Sequence, residues 1–273
     1  MSKILCIPDL HGRKFWRKTI DKYNSSVDKI IFLGDYLDPY PNEIKENPEL
    51  MECKSFNDVD GLLNLLKDII SLKKNESEKY ILLTGNHSDS YIWSEFTSAT
   101  RTDNRNWEKY HNIFLENLSL FNLVWIENDT IFSHAGITKE WANTFLYRYM
   151  KYDISAQLEK DSMILETAIV LRDTLLQDFN KHYLGAINRI SYHRGGDSMN
   201  GSCEWADLME HIDHYQSEVQ EKIVPIDSDN GIYQVFGHTQ LQKPLITDKW
   251  ACLDCRQGFI VDTITHEITA CEI

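Results

Sequence analysis

Five short, apolar, β-branched runs punctuate this chain, at residues 3–8, 29–33, 79–84, 130–134 and 233–237, and each stops abruptly at a polar or glycine-containing turn. Continuous apolar runs of that length suit strands buried on both faces. Between them lie segments of helical period. Residues 56–73 place Phe56, Val59, Leu62, Leu63, Leu66, Ile69 and Ile70 along one stripe, the pattern of a helix lying on a sheet. Residues 13–23 predict a shorter helix. Strands alternating with helices imply βαβ units and a covered central sheet. Two alternating runs near the end, 259–264 and 266–271, predict a closing antiparallel hairpin. Residues from about 138 to 221 differ: they predict a mainly helical insertion over one edge of the sheet, rich in Tyr, Asp and Glu. Residues 38–56, with Pro39, Pro41 and Pro48, predict a long irregular loop, of a length that accompanies function or mobility.

The 273 residues suffice for a single domain, 1–273, with a core of its own. Asp and Glu outnumber Lys and Arg by 42 to 28, a net charge of −14, which repels phosphate backbones and argues against long nucleic acids or anionic membranes as partners. No apolar run approaches the ~20 residues of a membrane span. The opening MSKILCIPDLHG reads as a first strand rather than a signal peptide, and the expected location is the cytoplasm. The six cysteines then fit reduced thiols. Cys252 and Cys255 have CxxC spacing, but no second pair completes a zinc site, so they read as ordinary half-buried cysteines.

The chemistry sits at the strand ends. The first run ends in Asp9-Leu-His11-Gly12, the second in Gly34-Asp35-Tyr-Leu-Asp38, and the third in Gly85-Asn86-His87. Two later runs end in Ser133-His134-Ala-Gly136 and Phe236-Gly237-His238-Thr239. Ligands of α/β sheets bind at the carboxyl ends of strands, so five strands deliver Asp, His or Asn to one edge. Hard oxygen donors mixed with imidazoles suit Mn, Fe, Zn or Ni, and a carboxylate can bridge two cations ~3.5–4 Å apart. Any one of these short motifs is weak; their order and shared placement carry the reading.

Together they resemble the calcineurin-like metallophosphoesterase superfamily, and most closely its phosphoprotein-phosphatase branch. The order is D-x-H-G, G-D-Y-x-D, G-N-H, a strand ending in H-x-G, and a late G-H-T followed by Pro244. The resemblance implies a four-layer αββα sandwich of two mixed sheets. It implies that Asp9 and His11 hold one divalent metal, that Asp35 bridges two, and that Asn86, His134 and His238 hold the second, with Mn the preferred ion. It also implies that His87, oriented by Asp38, is the general acid for metal-bridged hydroxide attack on a phosphomonoester. A phosphorylated small molecule, a nucleotide or a phosphopeptide would then be the substrate. The readings that stand beside this one are a nucleotide or dinucleoside-polyphosphate hydrolase, a phosphodiesterase, and a non-catalytic metal-binding interaction module.

The sequence departs from that branch at three points. Gln240 stands where related enzymes have a further His ligand, Pro39-Tyr40 replaces Arg-Gly after Asp38, and Ser88 replaces an acidic residue after His87. The arginine expected to grip phosphate is therefore absent from its usual place. Arg194, in the glycine-rich His193-Arg194-Gly195-Gly196, is the preferred substitute because its planar fork suits phosphate. Arg13, Arg101 and Arg105 compete with it, each with a surface salt bridge as its plainer role. His211 and His214 read as a solvated acidic face, Tyr147, Tyr149 and Tyr152 as packing within the insertion, and Asp254 and Asp262 as turn residues.

Overall fold

A computed structural model describes residues 2–56, 58–93, 100–148, 162–178, 181–212 and 231–272. Eleven strands are present among these: β1 Lys3–Ile7, β2 Lys29–Phe32, β3 Tyr80–Leu83, β4 Phe121–Asn122, β5 Val124–Glu127, β6 Thr130–Ser133, β7 Tyr233–Phe236, β8 Leu245–Ile246, β9 Trp250–Cys252, β10 Phe259–Asp262 and β11 Ile268–Ala270. The α-helices are α1 Phe15–Tyr23, α2 Pro41–Glu46, α3 Val59–Asn75, α4 Asn86–Ile92, α5 Trp107–Glu116, α6 Lys139–Arg148, α7 Met163–Asp173 and α8 Lys181–Ile187. The chain packs as two compact units, Met1–Asn122 with Arg256–Ile273, and Leu123–Cys255. Each unit carries one mixed sheet, so the α/β class with two mixed sheets holds. No helix among the described residues is long and apolar enough to cross a membrane.

In the first unit the sheet order is β11-β10-β1-β2-β3-β4. β1, β2, β3 and β4 run parallel, while β10 and β11 pair antiparallel against the free side of β1, as the predicted hairpin required. Four consecutive residues of β1 and all of β3 are buried, which explains their unbroken apolar composition. α3 opens at Val59 rather than Phe56, because the Asp58 carboxylate caps it by accepting from the Gly61 amide. Leu62, Leu65, Leu66, Ile69 and Ile70 are its buried residues; Leu65 completes the stripe, and Leu63 is only half-buried.

The segment 38–56 is not an irregular loop. Pro41 and Pro48 each start a helical turn, α2 and the 3₁₀ turn Pro48–Leu50, where a missing N–H costs nothing and the fixed φ helps. Backbone bonds from Lys14 to Leu50 and from Glu52 to Gly12 then lace the segment to the first motif.

In the second unit the order is β5-β6-β7-β9-β8, with β6, β7 and β9 parallel and the outer strands antiparallel. Among its described residues the predicted insertion is helical at α6, α7 and α8. From residue 188 to 212 it is instead loop with single 3₁₀ turns at Tyr192–Arg194 and Leu208–His211. Tyr147 does not pack inward: α6 buries Trp141, Ala142, Phe145 and Leu146, which leaves Tyr147 exposed. Tyr149 and Tyr152 lie outside the described residues. Asp262 is a turn residue, its carboxylate accepting from the Ile264 and Thr265 amides, whereas Asp254 is buried behind β9. All six cysteines are free thiols.

His211 does not lie on a solvated face. The Asp207 capping box folds Leu208–His211 so that the His211 ring turns inward and stacks on Phe236 at 4.9 Å. Gly136, at φ +83°, faces that ring so closely that a Cβ would lie 2.8 Å from it, so no side chain fits there. His214 lies outside the described residues.

Arg13 is likewise no surface residue. It is buried and forms a two-pronged bond to Glu43, Nε to Oε2 at 2.7 Å and Nη2 to Oε1 at 2.9 Å, and Arg256 adds a second cation at 2.7 Å. Burial raises the Glu43 carboxyl, but the two arginines outweigh it and hold the group below its usual 4.5. Its contribution to stability is therefore present above pH 4.5 and lost as pH falls through the depressed folded value. Glu43→Gln leaves the Arg13 charge buried without its partner and is expected to cost about 3 kcal/mol at pH 7. In urea denaturation the gap from wild type should close toward pH 3; a gap independent of pH would refute the ion-pair account.

Candidate metal centre

Parallel register sets the geometry of the first unit. Ile7 pairs with Phe32 and Phe32 with Leu82, so the turns carrying Asp9–His11, Asp35–Asp38 and Asn86–His87 emerge together. The amides of Leu10 and His11 both bond to the Asp35 carbonyl, at 3.0 and 2.8 Å, and the Gly12 amide bonds to the Tyr36 carbonyl at 3.0 Å. These turns hold His11, Asp35 and Asp38 at φ 44°, 48° and 60°, a left-handed conformation that non-glycine residues adopt at a cost and that concentrates at functional sites.

His11, Asp35 and His87 form the tight group: each offers a ligand atom within 4.8 Å of the others, and all three are buried. His11 Nδ1 lies 3.0 Å from the Leu37 carbonyl. A carbonyl only accepts, so Nδ1 carries the proton and Nε2 presents its lone pair, 3.8 Å from Asp35 Oδ2. Burial, and then the neighbouring His87, push the His11 pKa well below 6.5, against the pull of Asp35; the ring is neutral, as a metal ligand must be. Asp35 Oδ1 accepts from the His87 amide at 2.9 Å, which leaves Oδ2 toward His11. The His11 and Asp35 donors fit a divalent cation of the imidazole-and-carboxylate class, while His87 is tied to Asp38 instead. Asp9 is buried at the end of β1 but its carboxylate is outside this grouping; Asn86, the first residue of α4, is buried beside His87.

In the second unit, Phe132 pairs with Val235 and the Gly237 amide bonds to the His134 carbonyl at 2.7 Å. The two turns therefore start level, and His134 Nε2 lies 3.1 Å from His238 Nδ1. His134 is fully buried, and His238 has φ 65°. Two imidazoles so close, on neighbouring strand ends, fit a second ligand pair. Arg194 reaches this place too: its Nη2 donates to the Thr239 hydroxyl and, at 3.4 Å, to the His238 carbonyl. Its Nε is already ion-paired with Asp207 at 2.7 Å.

The calcineurin-like phosphoesterase family model matches residues 2–241. The chain belongs to the calcineurin-like phosphoesterase family. No curated protein sequence matches it. Among solved structures it is similar to a protein serine/threonine phosphatase from Saccharomyces cerevisiae described as similar to human phosphatase PP5, at 14% identity and a TM-score of 0.46, over 100% of this chain and 80% of that one.

In this calcineurin-like phosphoesterase, His87 Nδ1 bonds to Asp38 Oδ2 at 2.7 Å, and both groups are buried. Sequence reasoning anticipated that pair but missed what holds it. The Tyr91 hydroxyl donates to the other oxygen of Asp38, Oδ1, and itself accepts from the Asp103 amide at 2.8 Å. Tyr91 is fully enclosed, and burial with the adjacent Asp38 charge pushes its pKa far up, so it keeps its proton. Burial raises Asp38 as well, against the His87 and Tyr91 hydrogen bonds that favour its anion. The signal in the sequence was the tyrosine one helical turn after His87, a spacing that puts both on one face of α4. Ser88 is buried and Gln240 exposed. Arg105 is exposed, whereas Arg101 comes to Asp38.

Tyr91→Phe removes a charge-assisted hydrogen bond and strands the Asp103 amide. It is expected to lower stability by about 1–3 kcal/mol. The effect should shrink when combined with Asp38→Asn, as read by a double-mutant cycle of urea midpoints; additive losses would show that the hydroxyl and Asp38 are independent.

Proposed function

We propose that this phosphoesterase hydrolyses phosphomonoesters at a binuclear metal centre, with His87 as general acid. The observation that carries the reading is the buried His87–Asp38 bond at 2.7 Å beside the His11–Asp35 ligand group. Asp9 and His11 would hold one divalent ion, Asp35 both, and Asn86, His134 and His238 the second, with Mn the first choice. Bound cations supply charge neutralisation of the phosphoryl oxygens and acidify water toward neutrality. We further propose that the whole chain works as a single catalytic domain, with 138–221 as an insertion, and that it belongs with the phosphoprotein-phosphatase branch, on the motif order alone.

The chain's own residues account for proton delivery. Nδ1 of His87 donates to Asp38, which leaves Nε2 as the atom that carries the transferred proton. His87 hands that proton to the leaving oxygen as the P–O bond breaks. Tyr91 and the Asp103 amide keep the carboxylate in place, so the ring does not have to be oriented during the reaction. His11, fixed as the Nδ1–H tautomer by Leu37, holds its lone pair toward the centre. A non-catalytic module would have no use for a buried His–Asp–Tyr relay, which favours the enzyme over that reading. The free thiols support the cytoplasm as its location, and the −14 charge supports small phosphorylated substrates, nucleotides or phosphopeptides over long nucleic acids.

Metal analysis with a screen of p-nitrophenyl phosphate, its diester and a dinucleoside polyphosphate, each with Mn²⁺, tests the proposal. Two ions per chain and turnover of the monoester are expected; metal binding with no turnover of any substrate would support the module, and preference for the diester or dinucleotide would replace the monoester assignment. His87→Asn should reduce kcat by about 10²- to 10⁴-fold at unchanged metal content, and an unaltered rate would remove His87 from the general-acid role.

A further inference from the structure

Among the arginines of the first unit, Arg101 has an unusual environment. Arg13 and Arg256 close on Glu43, and Arg17 on Glu52 and Asp68. Arg101 forms no ion pair among the described residues. Its guanidinium carbon lies over the Tyr40 ring, 3.7 Å from the centroid, and its Nη2 donates to the Asp38 carbonyl at 3.0 Å. Its Nε is shielded from water with no hydrogen-bond partner. A buried donor left unpaired costs about 1–3 kcal/mol, and native proteins leave few such groups unless something else pairs with them.

The position is as informative as the pairing. Asp38 presents its carboxylate to His87 and its backbone carbonyl to Arg101, so one residue anchors both side chains. Tyr40 packs edge-on against His11 with ring centroids 5.1 Å apart, so the platform that carries Arg101 also touches the ligand group. Stacking and one carbonyl bond orient the planar fork while leaving its charge uncompensated. Asp103, whose carboxylate accepts from the Arg105 amide and the Asn106 side chain, pins the chain two residues beyond. A cation held rigid, desolvated on one face and unneutralised is built for a dianion with two coplanar acceptor oxygens.

We infer that Arg101, laid on Tyr40, grips the terminal phosphoryl group of the substrate, and so sets the preference for phosphate monoesters. This rests on the phosphoesterase reading above. Arg194 remains engaged by Asp207, and Arg13 by Glu43.

The test is calorimetric titration of inorganic phosphate into the Mn²⁺-loaded full chain, with p-nitrophenyl phosphate kinetics, for wild type, Arg101→Gln, Arg101→Lys and the exposed control Arg105→Gln. Arg101→Gln is expected to weaken phosphate binding and raise KM by about 10- to 100-fold, with kcat, metal content and urea midpoint close to wild type. Arg101→Lys keeps the charge but not the fork and should recover part of the loss, whereas Arg105→Gln should match wild type. Phosphate binding by Arg101→Gln equal to wild type would overturn the inference while leaving the hydrolase intact. A fall in kcat and urea midpoint at unchanged KM would also overturn it, by assigning Arg101 to holding the fold. Wild type that neither binds phosphate nor cleaves the monoester would overturn the monoesterase reading itself.

Discussion

Parallel pairing of short, doubly buried strands decides where each candidate ligand lies. In the first unit β1, β2 and β3 end nearly level, and in the second β6 and β7 do. With both faces of each strand covered, polar side chains can enter only at the ends, and the chain must turn within one or two residues. That requirement puts His11, Asp35, Asp38 and His238 into left-handed backbone, at about 1–3 kcal/mol each. The backbone bonds from Leu10 and His11 to Asp35 hold these turns against relaxation. Asp and His tolerate the conformation better than branched residues do, so the residue types that suit a metal also suit the turn.

Asp38 is the point where the polar structure of the first unit converges. Its carboxylate meets His87 on one oxygen and Tyr91 on the other, and its carbonyl meets Arg101. Burying a carboxylate is costly unless hydrogen bonds compensate, and here both oxygens are engaged. The contrast with Arg13 shows how context divides identical chemistry. Arg13 adjoins the first motif yet is closed by Glu43 and serves the fold; Arg101 comes from a distant segment and keeps its charge open.

The strands, the capped helix α3 and the closing hairpin were legible because each is governed by local periodicity. The candidate ligands stand out for a related reason: glycine-flanked Asp, Asn and His at abrupt strand ends have few other uses. Residues 38–56 misled because three prolines suggest irregularity, whereas Pro41 and Pro48 start turns. His211 misled because its acidic neighbours look solvated, while the Asp207 capping box turns its ring into the core. Tyr91 has no role in the sequence reading and Arg101 stands there only as a competitor of Arg194, with a surface salt bridge as its plainer role, since nothing local marks a tyrosine on a buried helix face or an arginine in a loop as bound to Asp38.

The amino-acid order alone determined the class of fold, the strand ends that carry Asp, Asn and His, and the pairing of His87 with Asp38 by family resemblance. These depend on short-range pattern, which a linear chain displays openly. Tertiary structure alone decided which charges are neutralised and which stay open, which imidazole nitrogen bears the proton, and which rings face inward. Such properties arise from desolvation and from partners tens of residues away, as with Arg101 and Asp38, 63 positions apart, and no local pattern encodes them.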